Sequence, residues 1–381
     1  MVLASSRSGM TASTFLGLFL ARIPISPIGL RIGLKVVQLC GLFRIARLIT
    51  RHGLRIICYH GLALAEEDKY RGTLFVRDDL FRRRMEYLRH QKYPILTLSE
   101  AIDALSEGRL PPCATVVTMD DGWRGVHTLA LPIIKKLRIP VTVYIATYYV
   151  ENPIPVYPVT LSYLFWLTTE RRVVLPRGLG AFELQSRAQE AEVSAHQYGA
   201  PLPPAEQLQF LGELAESLNV PFDRIEKQQL FRLMDESQLR ELATAGVDLQ
   251  LHSHSHRWPL HDRQAVESEI AENRKFLERV APAPLEHFCY PSGVYGIHQG
   301  EWLAALGIKS ASTIEPGLNY DDTSRFALRR IVDGGRVSDI EFAAEMTGFM
   351  EVVRWYRQGR LLSMLRRRFR VPRRSDAEAS G

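Results

Sequence analysis

Apolar and polar positions along this chain fall into two alternating kinds of block. Short runs rich in β-branched residues, each closed by polar residues, are separated by longer stretches in which apolar residues recur every three or four positions. The first run, Arg55–Tyr59 (RIICY), ends at His60-Gly61. Phe81–His90 predicts a helix, Tyr93–Leu98 a strand, and Ser99–Leu105 a helix with Ser99 as its N-cap. Ala114–Met119 (ATVVTM) ends at Asp120-Asp121-Gly122, Leu129–Leu137 predicts a helix and Val141–Thr147 the next strand. The rhythm resumes with a helix over Ser237–Ala245, a strand over Val247–Leu251, a helix over Ala265–Val280 and a strand over His287–Tyr290. Trp302–Leu306 then predicts a helix, and Lys309–Thr313 and Phe326–Ile331 the last strands. Nearly continuous apolar strands alternating with helices imply a parallel sheet covered by helices, for which a barrel is the natural closure.

Three stretches depart from this rhythm. About 151–235 is rich in proline and in small and polar residues, and it carries helix-like segments at Glu206–Leu218 and Gln229–Leu233. It is too long for an ordinary loop and reads either as an inserted lid over a cleft or as a solvated excursion. Residues 1–54 precede the first strand. Pro24 and Pro27 interrupt any helix begun near Thr11, and Gly29–Arg51 reads as two short amphipathic helices about Gly41. After Ile340 a helix leads into a basic tail, 346–381, ending in the run Arg366–Arg374. The expected organisation is a barrel over 55–345 with an extension at each end, 1–54 and 346–381.

Charge sharpens that division. Residues 1–55 carry eight Lys or Arg and no carboxylate, and 351–381 carry nine Arg against three acids. A total of +6 therefore leaves about −8 on the body between them, which argues against nucleic acid as a partner of that body. The basic ends suit an anionic membrane surface, with a basic helix packed on the barrel as the competing reading. The separated cysteines Cys40, Cys58, Cys113 and Cys289 form no ligand pattern and read as free thiols in a reducing, cytoplasmic setting. The apolar run Thr14–Ala21 is followed at once by Arg22 without a clear cleavage site, so export is the less favoured expectation.

In a barrel of this kind, residues just after the strands converge on one face. His60, Asp120, Asp121, His252, His254, His256 and the turn Tyr290-Pro291-Ser292-Gly293 all occupy such places. Neighbouring carboxylates are costly to bring together without a cation or proton between them. A metal would take one as ligand and leave the other as base, whereas a plain Asp-Gly turn is the alternative. Three histidines within His252–His256 are hard to explain as packing. Two imidazoles with one carboxylate would leave positions open for water and substrate.

Thr118-Met119-Asp120-Asp121-Gly122 and His252-Ser253-His254-Ser255-His256, in that order and at strand ends, resemble the Thr-Phe-Asp-Asp-Gly and His-Ser/Thr-x-x-His motifs of the polysaccharide deacetylase family, also called NodB-homology or carbohydrate esterase family 4. The likeness spans about Arg55–Ile331, apart from most of the insertion. It implies a distorted (β/α) barrel with Asp121, His252 and His256 as metal ligands, Asp120 as general base and His254 as a flanking residue. Its implied cofactor is one divalent metal ion, zinc before cobalt or manganese. Its implied substrate is an N-acetylated amino sugar, with Trp123, Tyr290, Pro291, Ser292 and Gly293 expected to contact it. Two motifs depart from the family. Cys289-Tyr290-Pro291 stands where an Arg-x-Pro motif usually supplies the base's arginine, and Leu328-Arg329-Arg330 stands where a Leu-x-His motif usually supplies the acid. Tyr59-His60 resembles a variant in which a first-strand histidine serves, so His60 is the expected acid, while Arg329 or Arg330 is left to approach the base.

The expected reaction is therefore removal of N-acetyl groups from a polysaccharide or lipid-linked saccharide. Hydrolysis of an O-acetyl ester or a non-sugar amide at the same metal site is one alternative. A catalytically silent carbohydrate-binding relative is another.

Overall fold

The computed structural model describes residues 26–281 and 284–368. The apolar run Thr14–Ala21, Pro24 and the arginine run from residue 369 onward lie outside them. Seven strands, β1 (Arg55–Tyr59), β2 (Thr115–Met119), β3 (Thr142–Ile145), β4 (Asp248–Leu251), β5 (His287–Cys289), β6 (Ser310–Pro316) and β7 (Leu328–Val332), follow one another around a closed barrel. All are parallel, and closure is between β1 and β7. β1, β2 and β3 are buried at every position, as β-branched strands covered on both faces must be. Parallel closure places all seven C-terminal ends on one face.

Two local expectations are corrected. Tyr93–Leu98 makes only one bridge, Ile95 to Thr115, and is no strand. Pro94 cannot donate to a ladder, and the chain turns into a helix, Leu98–Ser106, whose N-cap is Thr97 rather than Ser99. Thr97 and Glu100 form a reciprocal capping box, which frees the Ser99 hydroxyl to meet His287 Nε2 at 2.9 Å. Gln229–Leu233 is no helix either. Gln229 and Phe231 have φ of 52° and 56°, and Leu233 bridges to Trp123 beside the Asp-Asp-Gly turn.

The insertion between β3 and β4 is a folded unit. It holds helices Tyr157–Leu167, Leu184–Gly199 and Pro204–Ser217 and a hairpin of Arg172–Leu175 with Gly180–Glu183. Tyr163, Phe210, Leu214 and Phe231 are buried in a core continuous with that of the barrel.

At the N-terminal end, helices Pro27–Leu39 and Leu42–Ile49 meet at Gly41, whose φ is 77°. Leu34, Val37, Phe43 and Ala46 pack on Ala344, Phe349 and Val353 of the C-terminal helices. Arg55, with no exposed surface, ties this layer to the barrel by donating to the carbonyls of Met346 (2.7 Å) and Gly53 (2.8 Å) and to Thr50 Oγ1 (3.1 Å). Its guanidinium satisfies acceptors that the ends of two helices leave open. Among the described residues no helix is long and apolar enough to cross a membrane.

Candidate active site

The turn after β2 sends two adjacent carboxylates in different directions. Asp121 and Gly122 both adopt positive φ, 71° and 90°, a conformation open to glycine and costly for most other residues. The returning end of the insertion holds the turn in place, because Met234 N–H donates to Gly122 O (2.9 Å) and Arg124 N–H to Arg232 O (3.0 Å).

Asp121 Oδ1 lies 3.2 Å from His252 Nε2 and 3.2 Å from His256 Nε2. Its Oδ2 accepts the Trp123 indole N–H at 2.6 Å, so Trp123 orients a carboxylate as well as forming wall. On the other side of the first imidazole, His252 Nδ1 sits 2.7 Å from the Cys289 carbonyl. That acceptor requires Nδ1–H, so Nε2 is the nitrogen turned toward Asp121. His252 N–H donates to Asn273 Oδ1 (3.0 Å), and the amide of Asn273 donates to Ile145 O (2.9 Å) and Thr147 Oγ1 (3.1 Å). This fully buried asparagine thus fixes the β4 end against β3. Glu269 holds the histidine loop by accepting from Ser255 N–H (2.8 Å) and Ser255 Oγ (2.6 Å). His254 turns away from the cluster and pairs with Thr147 Oγ1 at 3.0 Å.

These donors fit a divalent ion. The ligand atoms of Asp121, His252 and His256 lie within 4.8 Å of one another. Ligands about 2.0–2.1 Å from a tetrahedral zinc stand roughly 3.3 Å apart, close to both 3.2 Å separations here. Two other groupings, Cys58-His60-Asp120 and Asp120-His252-Cys289, both need Asp120, whose two oxygens are already taken.

Arg330 takes them. On β7, with no exposed surface, it donates from its two terminal nitrogens to Asp120 Oδ1 and Oδ2, each at 2.7 Å, and from Nε to Thr313 O at 2.6 Å. Burial pushes the Asp120 carboxyl up, but the charge and hydrogen bonds of Arg330, with His60 and His252 nearby, hold it at about 2. Burial likewise opposes ionisation of Asp121, and hydrogen bonds from His252 and His256 overcome it and keep that carboxyl well below the usual range. Cys58 and Cys289 each place Sγ 3.5 Å from Asp120 Oδ2, and burial raises both thiols well above their ordinary value. They pack around the carboxylate as neutral groups.

His60, the residue expected as acid, is half-buried with Nε2 3.8 Å from Asp120 Oδ2, and its buried Nδ1 has no partner among the described residues. Of the two arginines left open by the sequence, Arg330 faces Asp120, while Arg329 is the outward neighbour on an alternating strand. Asn273 and Glu269 carried no sequence signal, because each acts through contacts between separate segments. The indole of Trp123 reaches a carboxylate only two residues away, but its residue type does not announce that role.

A cavity of about 720 Å³ opens over the cluster. His60, Asp120, Asp121, Trp123 and His252 form part of its floor, and Tyr290, Ser292 and Gly293 one side. The insertion contributes Val156–Val159, His196 and Ala200. Pro291, expected to contact substrate, is instead buried and does not line the cavity. It starts the tight turn Pro291–Gly293, in which Ser292 and Gly293 have φ of 56° and 68°. The turn thus presents its two later residues.

Residues 108–311, more than half of the chain, match the family described as polysaccharide deacetylase, and the chain belongs to that family. Its barrel is similar to that of the Streptococcus pyogenes deacetylase PplD in complex with acetate, at 18% identity and a TM-score of 0.53, covering 77% of this chain and 98% of that one. It is also similar to IcaB from Ammonifex degensii, at 17% identity and a TM-score of 0.51, covering 78% and 97%. A de-N-acetylase from Aggregatibacter actinomycetemcomitans gives 12% identity and a TM-score of 0.50, covering 77% and 99%. These likenesses define the fold. No curated protein matches the chain.

Proposed function

We propose that this protein is a metal-dependent hydrolase that removes N-acetyl groups from amino sugars of a polysaccharide or lipid-linked saccharide. One observation carries the reading: a buried carboxylate and two imidazoles converge at 3.2 Å, next to a second carboxylate kept ionised by an arginine. Asp121, His252 and His256 would hold the ion, with zinc favoured by a nitrogen-rich donor set. When bound, such an ion supplies Lewis-acid polarisation of the acyl oxygen and acidifies water.

The chain's own groups do the rest. Asp120, ionised at neutral pH, accepts the proton of the attacking water. The new C–O bond forms first as water adds to the acyl carbon, and the C–N bond then breaks as His60 supplies the proton that lets nitrogen leave as an amine, giving acetate and a free amino sugar. Trp123, Tyr290, Ser292 and Gly293 shape the cleft for the sugar, with Pro291 supporting that turn from beneath. The chain's division into an N-terminal extension (1–54), a catalytic barrel (55–345) and a basic tail (346–381) is part of this proposal.

Acetate release from chito-oligosaccharides, compared with acetylated xylan and with and without chelator, tests the reading. Chelator-sensitive release from the amide substrate is expected, and it should be lost in Asp120→Asn. Preference for xylan would turn the reading to an O-acetyl esterase, and full activity of Asp120→Asn would overturn it.

A cytoplasmic enzyme working at an anionic membrane surface is also part of this reading. Ile28, Ile32 and Leu39 fall within about 40° on one side of their helix and are exposed, as are Ile45 and Leu48 on the next. Arg31, Lys35 and Arg44 flank them, in a segment without carboxylates, the pattern of an interfacial helix. Co-sedimentation with phosphatidylglycerol vesicles but not phosphatidylcholine vesicles, abolished by Ile28→Glu/Ile32→Glu, is expected. Equal recovery with both would remove the anionic surface from the proposal.

A further inference from the structure

The cavity's charge is unlike that of the body around it. Among the described residues its only carboxylates are Asp120 and Asp121, the first neutralised by Arg330 and the second facing two imidazoles. Two further cations line the same cavity from separate elements, Arg71 at the end of the helix Glu67–Arg71 and Arg257 just after the histidine loop. Neither has a carboxylate within salt-bridge distance among the described residues. Arg71 lies over the ring of Tyr70, 5.5 Å from its centroid, and Arg257 donates to the carbonyl of Ala200 at 3.1 Å. Arginines elsewhere on this acidic body are commonly paired with acids, as Arg177 is with Glu213 and Arg263 with Glu267. Two uncompensated guanidiniums beside the apolar side chains of Val156, Val159, Leu233 and Ile314 create a positive field that a low-dielectric wall strengthens.

Resting on the deacetylase reading, we infer that the cavity takes an amino sugar bearing an oxyanion, a phosphate or a carboxylate, and that Arg71 and Arg257 bind it. A guanidinium matches either group by paired N–H donors. A neutral homopolymer would leave both cations without an anionic partner in the bound state. Neither arginine contacts Asp120 or His60, since Arg71 lies over Tyr70 and Arg257 donates to Ala200, which makes these specificity residues, so their effect belongs in binding.

Deacetylated products, which undergo no turnover, isolate that effect. Glucosamine 1-phosphate, muramic acid and methyl glucosaminide would each be titrated calorimetrically into the full-length protein and into Arg71→Gln/Arg257→Gln. At least one anionic product should bind about ten-fold or more tightly than the methyl glycoside. The preferred one identifies phosphate or carboxylate as the source, and the ratio should fall to about 1 in the double variant. Raised salt should shrink the ratio in the parent protein. Equal affinities, no binding of any product, or a preference that survives in the double variant would overturn the inference. Acetate release from neutral chito-oligosaccharides is scored separately. Activity there with equal product affinities removes only the anion site, and a ten-fold preference without acetate release removes only the deacetylase reading.

Discussion

Arg330 reaches Asp120 through two parallel hydrogen bonds of 2.7 Å, from the last barrel strand to the turn after the second. Both side chains are buried, so each is the other's main compensation for lost water. Arg330→Leu should therefore cost roughly 3–5 kcal/mol, the usual penalty for stranding one member of a buried ion pair, and should abolish acetate release. Arg330→Lys keeps the charge but loses the fork, and should retain more stability than activity. Urea unfolding of Arg330→Leu, Asp120→Leu and the double variant gives the coupling. A double variant as unstable as the two losses added would mean that the pair does not act as a unit.

Metal binding has a readout independent of turnover. An ion that binds the folded chain only, at about 100 times its Kd, stabilises it by about 2.7 kcal/mol. Zinc added to chelator-treated protein should thus raise Tm by several degrees. His252→Ala and His256→Ala should remove the rise, because both imidazoles face Asp121 Oδ1 at the same distance. His254→Ala should keep it, since that ring is held by Thr147. An unchanged Tm on adding zinc, cobalt or manganese to the parent protein would count against the ligand set.

The barrel was legible because buried parallel strands leave unbroken apolar runs and end in polar residues, as β1 does at His60 and β2 at Asp120. Adjacent carboxylates and clustered histidines marked the candidate site by residue type, while the choice of Asp121, His252 and His256 among them came from the family resemblance. What escaped depended on tertiary partners. Tyr93–Leu98 has strand-like composition, yet a capping box formed by Thr97 and Glu100 overrides it. The arginine that pairs with Asp120 lies on β7 and not in the β5 motif, where Cys289 stands. Alternation along Leu328–Val332 narrows the choice to Arg330 only once the strand's inward face is known. Asn273 and Glu269 lie on one surface helix, Arg263–Leu277, and nothing local distinguishes them from solvated polar residues.

His60 is the imidazole beside Asp120, with Nε2 3.8 Å from its Oδ2, that is not committed to Asp121. Its replacement by alanine should lower kcat by about 10²–10⁴, the range for removing a general acid. The zinc-induced rise in Tm should remain, because His60 is not among the three ligand residues. Stopped or steady-state assays on a chito-oligosaccharide would resolve this, and activity within two-fold of the parent would assign the proton to another group.

The insertion's grip on the cavity can be tested at a glycine. Gly199 closes the helix Leu184–Gly199 and is buried against Tyr157, whose hydroxyl donates to Ala195 O at 2.9 Å. A Cβ on Gly199 would lie 1.9 Å from that hydroxyl oxygen and 2.4 Å from the ring carbon bearing it. Helix propensity alone would favour alanine by about 1 kcal/mol, so any loss of stability in Gly199→Ala reports the collision. The variant should be destabilised by roughly 1–3 kcal/mol, as for other overpacked cores. Tyr157 must swing aside, and it lines the cavity next to Val156, Pro158 and Val159. The expected kinetic signature is a raised KM with a smaller change in kcat, since Asp120, Arg330 and the histidines lie on barrel strands or in the turns that follow them. Shortening the tyrosine should relieve the clash, so Gly199→Ala combined with Tyr157→Leu should lose less stability than the two single changes added. Additive losses, or an unchanged KM in Gly199→Ala, would show that the insertion borders the cavity without shaping what binds there.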